Sequence, residues 1–256
     1  MKPRLAVVLV TVALLASLVV QPASRQAAPV PESYPAGAVG WDMSYPQCSR
    51  TSPPGGAFGV VGLNHGRPFT VDPCLGRLWG WAADLEAPSL YVNAAFSPTY
   101  RRHLTPECTS RVPGALLDSV QRLAWAAGCQ EAVFDVRVAP GRPAAWWLDV
   151  ETANSWSHTR PTLNRLAIQA LATELRRQTG RPVGVYSYFK AWLRITGDGQ
   201  WAPSGVLASW EAPILPVTAT TANGLCAESG FSNLRVLLVQ FLGKDAEGAF
   251  DGDVAC

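Results

Sequence analysis

The chain has 256 residues, with 21 Lys and Arg against 19 Asp and Glu and a formal charge of +2 at pH 7. So even a balance gives no field for polyanions, which argues against a nucleic-acid binder. The length and the 48% hydrophobic content supply a full core and suit one α/β barrel, a fold that runs to roughly 200 to 250 residues.

The first residues read as an export signal. Lys2 and Arg4 bring positive charge, Leu5 to Val20 is apolar except for Thr11 and Ser17, and the short stretch Gln21-Pro22-Ala23-Ser24 follows. The apolar run is shorter than the roughly 20 residues that span a bilayer. We therefore expect residues 1–28 to be a cleaved signal, leaving a protein without a stable membrane span, secreted or associated with the cell wall. Its charge then falls from +2 to −1, because Lys2, Arg4 and Arg25 leave with the signal. Residues 29–37 carry Pro29, Pro31 and Pro35 and read as a linker too poor in apolar surface to fold. Residues 38–256 make one domain, which we expect to be monomeric.

Within that domain, short apolar runs bounded by Gly, Pro and Asn alternate with helical stretches, the pattern of repeated βα units. The expected strands are Val39 to Ser44, Gly59 to Asn64, Leu90 to Phe96, Ala145 to Glu151, Val183 to Tyr188, Val206 to Trp210 and Leu237 to Leu242. Near-continuous hydrophobicity fits parallel strands covered on both faces. Helical spacing runs over Ala115 to Ala127 and again over Thr162 to Thr179, where Pro161 opens the helix and Gly180 closes it. An eightfold (β/α)8 barrel of the TIM type fits this order, with Phe250 to Ala255 as a weak or irregular eighth strand; a doubly wound open sheet is the runner-up.

Six cysteines, Cys48, Cys74, Cys108, Cys129, Cys226 and Cys256, include no Cys-x-x-Cys pair. The three histidines, His65, His103 and His158, are not spaced as a metal cluster. Disulfides therefore fit an exported chain better than zinc, and neither metal nor cofactor is expected. Six cysteines allow fifteen pairings. We take sequence neighbours to pair, as Cys48 with Cys74, Cys108 with Cys129 and Cys226 with Cys256.

In Trp146-Trp147-Leu148-Asp149-Val150-Glu151-Thr152, strand alternation sends Asp149 and Glu151 to one face at the end of an apolar run. Inside a barrel, two acids at a strand end need a reason, because buried unpaired charge is costly. Catalysis supplies one: crowded carboxylates push their pKa values apart, so that one holds a proton and another stays ionised. A structural alternative is a salt bridge to Arg142 or Arg160, or a helix cap. Asp42 ends the first strand, and Asp251 and Asp253 lie in the last. A barrel brings strand ends to one rim, which makes these acids candidates together.

Asp42-Met43-Ser44, Asp149-Val150-Glu151, Gly184-Val185-Tyr186-Ser187, Ala208-Ser209-Trp210 and Val239-Gln240-Phe241 with Asp251 resemble the ordered landmarks of the family twenty-five glycoside hydrolases, the barrel-fold lysozymes. The stretch from Trp146 to Trp156 also resembles an actinobacterial branch of related exported barrels. The resemblance implies Glu151 as general acid, Asp149 as the carboxylate beside it, and Asp42 and Asp251, rather than Asp253, as the first-strand and last-strand aspartates. It also implies peptidoglycan as the substrate. Two segments depart from the pattern: Gly62-Leu63-Asn64-His65-Gly66 stands where the lysozymes often carry a Lys-Ala-Thr-Glu-Gly type segment, and Phe134-Asp135-Val136-Arg137 looks like an insertion.

Flat aromatic faces suit sugar rings, and Tyr45, Trp147, Trp156, Tyr186, Tyr188 and Trp210, together with Gln240, are the expected substrate contacts. Trp79, Trp81, Trp125 and Trp192 read as packing residues. Ser187 and Lys190 have the Ser-x-x-Lys spacing of penicillin-interactive enzymes, but their Ser-Asp-Asn and Lys-Thr-Gly partners are missing from the sequence. Three functions are weighed: a secreted glycoside hydrolase acting on peptidoglycan or a related envelope glycan, a catalytically silent glycan-binding barrel, and a metal-dependent amidase or deacetylase, which so few histidines disfavour.

Overall fold

The computed structural model describes residues 34–50, 55–116, 118–245 and 247–256. The expected signal and residues 29–33 of the expected linker lie outside them. Eight strands, β1 (Val39–Met43), β2 (Phe58–Gly62), β3 (Glu86–Asn93), β4 (Trp146–Asp149), β5 (Val183–Ser187), β6 (Ala208–Glu211), β7 (Arg235–Asp245) and β8 (Gly248–Ala255), close into one barrel in sequence order. Neighbours from β1 to β7 pair in parallel. The helices α1 (Leu75–Ala83), α2 (Pro106–Ser110), α3 (Ser119–Val138), α4 (Pro161–Thr179), α5 (Phe189–Thr196) and α6 (Ala219–Leu225) lie between the strands in the chain.

The last unit departs from strict βα repetition. β8 is neither short nor weak, but it runs antiparallel to both β7 and β1. Only residues 246 and 247 separate β7 from β8. A parallel crossover needs a dozen residues or more, so so short a link permits only a hairpin. Gly248, at φ 117°, takes the backbone angle that the turn requires.

Helix α3 extends well beyond the expected 115–127. Asp118 caps its start, accepting from the main-chain N–H groups of Val120 at 2.7 Å and Gln121 at 3.0 Å. It then continues to Val138, so Phe134 to Arg137 forms its last stretch. Gly128, in mid-helix, sits where α4 passes close by: an added Cβ would lie 2.1 Å from the Ala167 carbonyl oxygen. That contact explains why a residue of poor helix propensity is used in mid-helix.

The packed fold also begins earlier than expected. Tyr34, inside the segment read as linker, is buried with its ring 4.8 Å from Phe58, and its hydroxyl meets Ser89 and accepts from Trp147 Nε1. These contacts tie Tyr34 to the barrel ahead of β1. Val60, Trp147, Trp210, Leu238 and Ala255 share that core cluster with Tyr34, while a larger one joins the strands to the helices through Leu78, Leu148, Leu171, Leu175 and Trp192. All three disulfides join sequence neighbours: Cys48–Cys74, Cys108–Cys129 and Cys226–Cys256.

Candidate active site

Because β4 ends on Asp149 with Glu151 two residues on, and β8 places Asp251 directly opposite Asp42 of β1, four carboxylates meet in one cleft. The cleft has a volume of about 280 Å³, and Asp42, Asp149, Glu151 and Asp251 all line it. Asp253 pairs in register with Gly40, one strand repeat further from the rim. It is fully buried and accepts from Trp210 Nε1 at 2.7 Å, so it lies beneath the cleft rather than in its lining.

Two of the acids, Asp42 and Asp149, are held by neutral amide donors. Asp42 accepts from Gln240 Nε2 at 3.1 Å, and Gln240 Oε1 in turn accepts from the Tyr186 hydroxyl at 3.0 Å. Asp149 accepts from the side-chain amide of Asn93, the residue opposite it on β3. Behind the acids, Asn154 Nδ2 donates to the Asp149 main-chain oxygen at 3.1 Å, and Trp156 Nε1 donates to that of Glu151 at 2.8 Å. The salt-bridge alternative does not hold for Arg160, which pairs with Asp118 at 3.0 Å. Arg142 lines a separate hollow with Trp146 and Arg181. Among the described residues that line the acid cleft there is no Lys, Arg or His.

With no cation to offset them, burial and mutual repulsion raise every carboxyl in the group. Burial, then Asp253 and Asp251, hold Asp42 well above the usual carboxylate range. Burial and the neighbouring Glu151 do the same for Asp149, partly offset by the Asn93 amide. Glu151 is raised by burial and by Asp251, and Asp251 by burial. Asp42 and Asp149 are buried whereas Glu151 and Asp251 are half-buried, so the protons most open to exchange with a ligand are on the latter two.

The aromatic contacts expected from sequence divide. Tyr45, Tyr186, Trp210 and Gln240 line the cleft. Trp156 lines an adjoining hollow with Ser97, Ser155 and His158, joined to the cleft through Asn154. Trp147 does not reach ligand space: it is fully buried among the core residues, with Trp210 5.7 Å away. Tyr188 packs against the sheet-to-helix core instead. Sequence reasoning did not single out Tyr91, Asn93 or Asn154, which also line the cleft. Tyr91 and Asn93 alternate along β3 as Asp149 and Glu151 do along their own segment, and that alternation was the available signal. One group of three metal-ligating side chains is close enough to share an ion among the described residues, Cys48, Asp72 and Cys74; its two cysteines are spent in a disulfide.

No protein-family model matches the sequence, and no curated protein matches it. Solved structures do match. A muramidase from Trichobolus zukalii is 18% identical over 85% of this chain and 93% of its own, with a TM-score of 0.57. A family 25 glycosyl hydrolase from Bacillus anthracis is 14% identical over 91% and 94%, with a TM-score of 0.55. A bacterial lysozyme from Streptomyces coelicolor is 14% identical over 86% and 93%, with a TM-score of 0.55. At these identities the likeness is one of fold, and that fold is the barrel of the family twenty-five hydrolases which the sequence landmarks resemble.

Proposed function

We propose that the protein is an exported glycoside hydrolase that cuts peptidoglycan or a related cell-envelope glycan. The observation that carries this reading is the cleft itself: four lining carboxylates with raised pKa values, no cation among them, and aromatic faces beside them. Such crowding costs folding free energy, and a site that merely held a neutral sugar has no use for it.

In this reading Glu151 keeps its proton and gives it to the glycosidic oxygen as the bond to the anomeric carbon breaks. Asp149 sits beside it in a group with Asp42 and Asp251, of which a single ionised member is enough to stabilise the oxocarbenium-like centre or to orient the 2-acetamido group of the sugar toward it. Water completes the hydrolysis and returns a proton to Glu151. Tyr45 and Tyr186 offer apolar ring faces to the sugar, and the buried Trp210 backs Tyr186 from the core. The three disulfides and the expected signal suit a protein that works outside the cell.

The test is release of reducing ends from purified cell walls. Glu151→Gln keeps the shape and loses the proton, and the expected drop is about 100- to 10,000-fold in kcat with glycan binding retained. Equal release by wild type and variant would refute the assignment, and glycan retention without turnover by the wild type would favour the silent binding barrel.

A further inference from the structure

The two segments read from sequence as departing from the lysozyme pattern meet in the structure. Asn64 follows β2, Asp135 lies near the end of α3, and Asn64 Nδ2 donates to Asp135 Oδ1 at 3.1 Å. The same amide nitrogen donates to the Thr70 carbonyl at 3.2 Å, while Asn64 Oδ1 accepts from the Asn93 main-chain N–H at 2.8 Å. Both residues are almost fully enclosed, Asn64 at 1% and Asp135 at 0% exposure. The amide cannot be turned over: that would set its oxygen against two acceptors and its nitrogen against a donor. One step further on, the Asn93 side chain donates to Asp149.

We propose that Asn64, held in place by Asp135, is a positioning residue for Asp149, acting through Asn93. Asp135 fixes the orientation of the Asn64 amide, the amide fixes the β3 backbone at Asn93, and the Asn93 side chain is thereby aimed at the Asp149 carboxylate. Burial pushes Asp135 up to about 8, so near neutral pH it is a neutral acid presenting a carbonyl-type oxygen to Asn64. The neighbouring Glu131, one helical turn away, is raised by burial and by Asp135 and so adds no fixed charge to the link. The consequence for catalysis rests on the hydrolase reading, but the mechanical link does not.

The experiment separates the two. The Asp149 carboxyl is followed by 13C NMR across pH in the full chain, with Asn93→Ala as the control that removes the direct bond. The titratable groups facing Asp149 are Asp42 on β1, Tyr91 on β3, Glu151 beyond β4 and Tyr186 on β5, and none is altered by the variants. Asn64→Ala and Asp135→Ala should both move the Asp149 midpoint upward, in the direction of the control, because a loosened Asn93 donates less well to the carboxylate. Asp135→Asn keeps an oxygen facing Asn64 and should leave the midpoint where it is. On cell walls the two Ala variants should lose about tenfold or more in kcat with KM little changed, and Asp135→Asn should restore it. Thermal unfolding shows whether each variant is folded, and Asp135→Asn against Asp135→Ala decides the matter if Asn64→Ala is not. An Asp149 midpoint unmoved by Asn64→Ala and Asp135→Ala overturns the proposal, as does an equal shift in Asp135→Asn. A shifted midpoint in a protein whose wild type shows no turnover keeps the link and discards the hydrolase.

Discussion

Glu211, at the end of β6, measures the cost of keeping carboxylates on this rim. It does not line the acid cleft, and it accepts from the Phe231 main-chain N–H at 3.1 Å. Burial raises it from 4.5 to about 7, against the opposing pull of Ser209 and of that N–H. At about 1.4 kcal/mol per pH unit, the rise corresponds to about 3 kcal/mol. Glu211 is only half-buried, so solvent trims the figure to about 2 kcal/mol. The sign follows from linkage: the folded state holds this proton more tightly than the unfolded one, so stability is fully present below about pH 4.5, falls as pH rises to about 7, and is level above that. Glu211→Gln keeps an oxygen for Phe231 and removes the charge. It should match the wild type near pH 4 and exceed it near pH 8 by about 2 kcal/mol, or roughly 4 to 8 °C in Tm. Urea and thermal unfolding at pH 4, 5.5, 7 and 8 would show this. A gain of the same size at pH 4 and pH 8, or no gain at pH 8, would refute the reasoning.

Three further outcomes follow. Asp251→Asn removes the charge that helps raise Glu151, so the alkaline limb of kcat against pH should move to lower pH; an unmoved or upward-shifted limb would deny Glu151 the role of proton donor. Gly184→Ala places a Cβ 2.2 Å from the Trp147 ring, inside a filled barrel, and should cost about 1 to 3 kcal/mol in urea unfolding. Cys256→Ser together with Cys226→Ser opens a link spanning 30 residues; chain entropy sets its worth at about 3 to 4 kcal/mol, and a Tm within a degree of the wild type would rule that out.

Much of the barrel was legible because parallel strands covered on both faces are near-continuous apolar runs, which turn residues delimit clearly. The direction of β8 was not, since alternation reads the same both ways and only the two-residue link to β7 decides it. In the cleft, Asp149 and Glu151 stood out as charges where apolar residues were expected. Asn93 did not, because an amide at a strand end is unremarkable until pairing sets it opposite Asp149. Trp147 shows a different limit. It shares a face with Asp149, but period-two alternation gives the face and not the depth, and two residues lower the barrel is already filled. Tyr34 was lost in proline-rich surroundings, whose composition conceals a single side chain with a buried place to go.

The antiparallel last strand bears on how the site is assembled. Asp42 lies on the first strand and Asp251 on the eighth, and they face each other only once β8 has slotted between β1 and β7. Without β8 the sheet would have two unpaired edges, on β1 and β7, and the cleft would have one acid too few. The acid cleft is therefore complete only when the barrel is closed, and closure and cleft assembly are one event.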